Sequence, residues 1–134
     1  MPRPFGTLAI VVSIVGFTAC SAPAAGSAQT VRVDLGEYGV APSPATVRAG
    51  RITFAVRNNG QEDHEVEIAN RAGRDVPDSA ILDEVEDLGP GESKSFTVDL
   101  RPGTYELACR LVDTKANPPF NHYDRGMYVA FVVQ

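Results

Sequence analysis

"LGPGESKSFTVDLRPGTYELAC", residues 88–109, decides how the chain folds. Gly89-Pro90-Gly91 and Pro102-Gly103 are turn signals, because Pro presets one backbone angle and Gly tolerates the angles other residues avoid. Between them "SKSFTVDL" (93–100) and "TYELAC" (104–109) alternate in polarity, and Tyr105, Leu107 and Cys109 share one face. Two short period-two runs joined by a Pro-Gly turn read as strands, the second ending on a cysteine.

The same pattern extends outward. "VRVDLG" sets Val31, Val33 and Leu35 against Arg32 and Asp34, and "RITFAVRNNG" places Ile52, Phe54 and Val56 on one face before an Asn-Asn-Gly turn. "HEVEIA" alternates Val66 and Ile68 against Glu65 and Glu67, while "MYVAFVV" near the C-terminus is apolar on both faces and reads as a central strand. One segment breaks the rhythm. In "DSAILDEVED", Asp78 is positioned to cap a helix and Ile81, Leu82 and Val85 fall at helical spacing, which predicts a short surface helix over 78–87. The expected fold is all-β, a Greek-key sandwich of about seven to eight strands with one short helix, occupying residues 31–134.

A chain of 134 residues, 43% hydrophobic and 22% charged, has the composition of one globular domain. Its net charge of −5 and lack of a Lys/Arg cluster argue against nucleic acid as a partner. The first 19 residues read as an export signal, with Arg3 ahead of an apolar run from Leu8 to Phe17. "FTAC" (17–20) resembles a bacterial lipobox, with Phe17 where Leu is usual, which makes Cys20 the expected lipidation site and residues 20–30 a flexible tether. The alternative is an ordinary secretory signal cut near Ala28. The expected location is outside the cytoplasm, anchored to the cell membrane by lipid, or else secreted or periplasmic. Cys109 would then be an unpaired thiol in a disulfide-permissive compartment, which calls for an explanation.

The whole chain holds two His, two Cys and two Met. Setting aside the initiator and Cys20 leaves His64, Cys109, His122 and Met127. One thiolate and two imidazoles, with a weak axial thioether, suit a copper ion that alternates between Cu(I) and Cu(II). The soft sulfur holds the reduced ion, and the imidazoles suit the oxidised one. His64 starts a strand, Cys109 ends the penultimate one and Met127 opens the last, so the connecting loops of a Greek-key sandwich can gather all four at one pole. Zinc held by the two His and Cys109, with water or Asp113 as fourth ligand, is the rival reading; Met127 argues against it.

At these residues the sequence resembles the cupredoxins, the small blue copper proteins. "SPATVRAGRITFAVRNNGQEDHEVEI" (43–68) is similar to their Pro…Ala-Gly…Phe…Asn…His segment, residues 88–109 to their Pro-Gly…Tyr-x-x-x-Cys segment, and "HYDRGM" (122–127) matches their His-x4-Met spacing. The resemblance implies one copper ion in a type 1 site, with His64, Cys109 and His122 as equatorial ligands and Met127 as the axial one. Three departures stand out. Twelve residues, "RLVDTKANPPFN", separate Cys109 from His122, against two to a few in the familiar members. Closing so long a loop is affordable, at about 0.6 kcal/mol per doubling of length. Glu65 stands where many members carry an Asn that braces the Cys loop. Glu62, Asp63 and Glu65 crowd His64, which favours its protonated form and predicts weaker metal binding in acid.

The expected function is that of an extracytoplasmic one-electron carrier rather than an enzyme, working with redox partner proteins. Two alternatives remain at this level: a copper-trafficking or buffering lipoprotein exchanging metal with donors and acceptors, and an interaction module that has lost its metal.

Overall fold

The computed structural model describes Met1 and residues 28–134. Apart from Met1, the expected export signal lies outside the described residues, as do Cys20 and most of the expected tether. Two sheets face each other. The first has the order β2-β1-β4-β7, built from β1 (Gln29–Gly36), β2 (Gly39–Ser43), β4 (Gly50–Asn58) and β7 (Ser93–Leu100). The second has the order β3-β11-β8-β5-β6, built from β3 (Thr46–Val47), β5 (His64–Ala69), β6 (Ile81–Leu88), β8 (Gly103–Ala108) and β11 (Tyr128–Val133). β1 runs parallel to β4 and β3 parallel to β11, and the remaining pairs are antiparallel.

Alternation places the core between the sheets. Val31, Val33 and Leu35 of β1 and Ile52, Phe54 and Val56 of β4 are all at most 1% exposed, and they meet Val66, Ile68, Leu107 and Phe131 from the opposite sheet. Phe54 stacks on Phe96 at 5.0 Å and meets Phe131 edge-on at 5.2 Å, so one aromatic ring ties the two layers. Burying each such ring is worth roughly 1.5–3 kcal/mol. Both strands read from residues 88–109 form, but they do not pair with each other: β7 joins the first sheet, and β8 crosses to the second. β11 is an interior strand of its sheet, flanked by two-residue β3 and by β8. Its outer face stays open at Tyr128 and Val132.

The helix expected over 78–87 is a correction. Only Asp78–Ala80 form a single 3-10 turn, and its N-cap is Pro77, with no side-chain cap bond, rather than Asp78. From Ile81 the chain extends as β6 and pairs with β5, with Val85 against Val66 and Leu88 against His64. Ile81 and Val85 satisfy either period, with Leu82 turned outward in a strand, and the unpaired edge of β5 settled the matter by offering a ladder of backbone bonds. As an edge strand β6 carries Asp83, Glu84, Glu86 and Asp87, charges that discourage pairing with another chain.

Candidate metal centre

Three loops bring the candidate ligand side chains to one pole. Asn58, fully buried at the end of β4, organises the turn ahead of His64. Its amide donates to the carbonyls of Glu62 (2.7 Å) and Leu88 (2.8 Å), and its oxygen accepts from Gly60 N at 2.8 Å. The Glu37 carboxylate accepts from the backbone N–H groups of Gln61 and Glu62 in the same turn. A Cβ at Gly60 would displace the Glu37 carboxylate, the end of a flexible side chain, and stand 3.0 Å from His64 Nε2. His64 therefore enters β5 with its ring held inward and 0% exposed.

Cys109 follows β8 on the core face and is also 0% exposed. The twelve-residue loop does return His122 to it. Val112–Asp113 (β9) and Phe120–Asn121 (β10) pair as a small ladder, and His122 N donates to Leu111 O at 2.9 Å. Asn121 fastens both ends: its amide donates to Arg110 O at 2.9 Å, while its oxygen accepts from Tyr123 N at 2.8 Å. His122–Arg125 then form one 3-10 turn that ends at Gly126, whose φ of 95° is left-handed. Cys109 N donates to Met127 O at 2.9 Å and Met127 N to His122 O at 3.3 Å, so backbone bonds join the three segments directly.

The donor atoms converge. His64 Nδ1 lies 3.2 Å from His122 Nδ1, and Cys109 Sγ lies 3.5 Å from His122 Nδ1. Donor atoms of His64, Cys109 and His122 all lie within 4.8 Å of one another, and all three side chains are buried. Metal–nitrogen bonds of about 2.0 Å and metal–sulfur bonds of about 2.3 Å, opened at roughly 105–120°, put donors about 3.2–3.7 Å apart. The two measured contacts fall in that range, so this donor set fits a single ion. Met127, the fourth expected residue, is fully buried beside Cys109 in the same core cluster.

Burial dominates the electrostatics. It pushes the Cys109 thiol up to about 11. It also holds both imidazoles below the ordinary histidine value, His64 further lowered by its neighbour His122. The expectation that acidic crowding favours protonated His64 is therefore corrected: Glu37, Glu62 and Asp63 do pull upward, but loss of water outweighs them. Glu65 turns to the outer face of the sheet. There its Oε1 accepts the backbone N–H of Arg110 at 3.1 Å, supplying the brace to the Cys loop for which Asn is usual. His122 is covered by rings, with Phe120 stacked at 5.7 Å and Tyr38 edge-on at 5.4 Å. Tyr38 was not singled out by the sequence reading, and Asn58 entered it as the first residue of the Asn-Asn-Gly turn, without a role at the site.

Comparisons with known proteins agree with the fold. The cupredoxin-like domain family model matches residues 9–117, ending short of His122 and Met127. The iron uptake system component EfeO of Escherichia coli (strain K12) is 30% identical over 82 residues, 61% of this chain and 20% of that protein. The chain thus spans about a fifth of the length of the curated relatives it matches. Among solved structures, reduced auracyanin of Roseiflexus castenholzii superposes with a TM-score of 0.62 at 23% identity, over 81% of this chain and 99% of that one. Auracyanin A of Chloroflexus aurantiacus, a "blue" copper protein, superposes with a TM-score of 0.56 at 20% identity, over 78% and 99% of the two chains. At these identities the likeness establishes the fold.

Proposed function

The chain belongs to the cupredoxin-like domain family, and on that premise we propose that it binds one copper ion through His64, Cys109, His122 and Met127 and carries single electrons between redox proteins outside the cytoplasm. The observation that carries this reading is the convergence of two imidazole nitrogens and a thiol sulfur, 3.2 and 3.5 Å apart at the closest pairs, in a fully buried pole of the sandwich. Copper bound there would supply a one-electron couple between Cu(I) and Cu(II). His64 and His122 would present neutral nitrogens, Cys109 would give up its proton on binding, and Met127 would offer a soft thioether. The rigid pole limits rearrangement, and Phe120 and Tyr38 keep water from the His122 ring. Both histidines of the chain are committed to this one site, which favours a carrier over an enzyme with a second metal cluster.

We read Cys20 as lipidated and the domain as tethered to the outer side of a cell membrane by residues 20–30. Fractionation tests this: Cys20→Ser should move the protein from the membrane fraction to the soluble one, and unchanged membrane retention would contradict the anchor.

A second reading, copper trafficking or buffering, draws support from the length of the Cys109–His122 loop and from the likeness to a component of a metal uptake system. Voltammetry and chelator competition on the same loaded sample separate the two. Reversible one-electron exchange with slow metal loss supports the carrier; fast loss to the chelator with sluggish electron exchange supports trafficking.

A further inference from the structure

Behind the metal pole, on the outer face of the second sheet, lies a buried ionic cluster. Arg110, whose side chain is 10% exposed, pairs through Nη1 with Glu67 and through Nη2 with Glu106 at 2.6 Å. Its Nε and Nη2 both donate to Gly73 O, at 2.9 and 2.7 Å, and Gly73 N donates back to Glu106 Oε1 at 3.1 Å. The Tyr123 hydroxyl donates to Glu106 Oε2 at 3.1 Å, and the Arg110 guanidinium sits 5.2 Å from the centre of the Tyr123 ring.

Fold stability alone does not account for such a cluster. Removing charges from water is expensive, and a buried ion pair is often no more stabilising than apolar residues of similar volume. What the cluster does have is membership. Arg110 directly follows Cys109, Tyr123 directly follows His122, and Glu67 lies three residues beyond His64 on the same strand. One member comes from each segment that delivers a donor atom: the planar guanidinium of Arg110 bonds to Glu67 and Glu106 along fixed directions and meets Tyr123 over its ring, and Glu106 also accepts the Tyr123 hydroxyl.

We propose that Arg110 is a positioning residue: working from the reverse side of the sheet with Glu67, Glu106 and Tyr123, it fixes the spacing of the three donor-bearing segments and so sets how tightly the pole retains its ion. The cluster stands in for the stiffness that a short Cys-to-His connection would supply. This rests on the copper reading for its consequence, but not for its structural content.

The test uses Arg110→Lys, which keeps the charge and loses the fork, and Tyr123→Phe, which removes one hydroxyl. Val98→Ala in the opposite sheet serves as a control for general loss of stability. Two readouts are needed: copper release to excess chelator, and amide hydrogen exchange at His122 and Met127 in the metal-free protein. Arg110→Lys should accelerate both by on the order of tenfold, in the range seen when outer-shell partners of a metal site are removed. Tyr123→Phe should accelerate both by less, and Val98→Ala should leave them near wild type. Release and exchange in Arg110→Lys no faster than in Val98→Ala would overturn the proposal. Should Arg110→Lys fail to fold, Tyr123→Phe against Val98→Ala decides it in the same way. Should the wild-type protein take up no copper, the copper reading fails, and the exchange rates alone decide the positioning role.

Discussion

Glu65 Oε1 accepts the backbone N–H of Arg110 at 3.1 Å, so the residue after the first imidazole holds the residue after the thiol. A carboxylate in this position does what a carboxamide would do for geometry, and adds a negative charge near the sulfur. Burial raises the Glu65 carboxyl, while the Arg110 N–H lowers it. Negative charge beside the ion favours Cu(II). Glu65→Gln keeps the acceptor and removes the charge, so at pH 8 it should raise the reduction potential, a tenfold shift in the equilibrium corresponding to about 59 mV for one electron. Glu65→Ala should lower thermal stability instead, since an unsatisfied part-buried N–H costs about 1–3 kcal/mol. A potential in Glu65→Gln equal to or below that of the wild type would contradict the electrostatic role.

Asn121 controls the return of the long loop. It bonds to Arg110 O with its amide and to Tyr123 N with its oxygen, immediately before His122. Asn121→Ala removes both bonds and should weaken copper binding by roughly 10–100-fold, with Cys109 still in place. Asn121→Asp keeps the acceptor for Tyr123 N alone and should fall between. Competition titration against a chelator of known affinity measures both, and an Asn121→Ala affinity equal to wild type would show that the short β9–β10 ladder suffices.

Metal uptake should release a proton. With the Cys109 thiol pushed up to about 11, the metal-free protein holds that proton at neutral pH, whereas the buried imidazoles are already neutral there. The sign follows: the proton lies on the free side of the binding equilibrium, so apparent affinity rises with pH, close to tenfold per unit, from neutrality up to about 11. Calorimetry of Cu(I) uptake in buffers of different ionisation enthalpy at pH 8 should find close to one proton released per ion. A value near zero would mean that the thiol is not the ligand.

Much of the fold was legible because turns and alternation are local. Pro102-Gly103 and the Tyr105-Leu107-Cys109 face marked the strand that delivers the thiol, and the left-over His, Cys and Met residues marked the pole. What was not legible depends on partners distant in the chain. Ile81 and Val85 fit one face of a helix or of a strand, and pairing of Val85 with Val66 on β5 decided between them, leaving Leu82 exposed. Acid residues flanking His64 looked dominant in sequence, yet removal of the ring from water outweighs them. Glu67 and Glu106 alternate outward, as solvated surface residues do, and nothing local reveals that Arg110 and Gly73 cover them.

The most direct measurement is the visible spectrum of the copper-loaded protein and of its Cys109→Ser variant. The wild type should show an intense thiolate-to-Cu(II) absorption that bleaches on reduction, and Cys109→Ser should lack it. Stoichiometric copper uptake with no such band, or a band that survives in Cys109→Ser, would contradict the account.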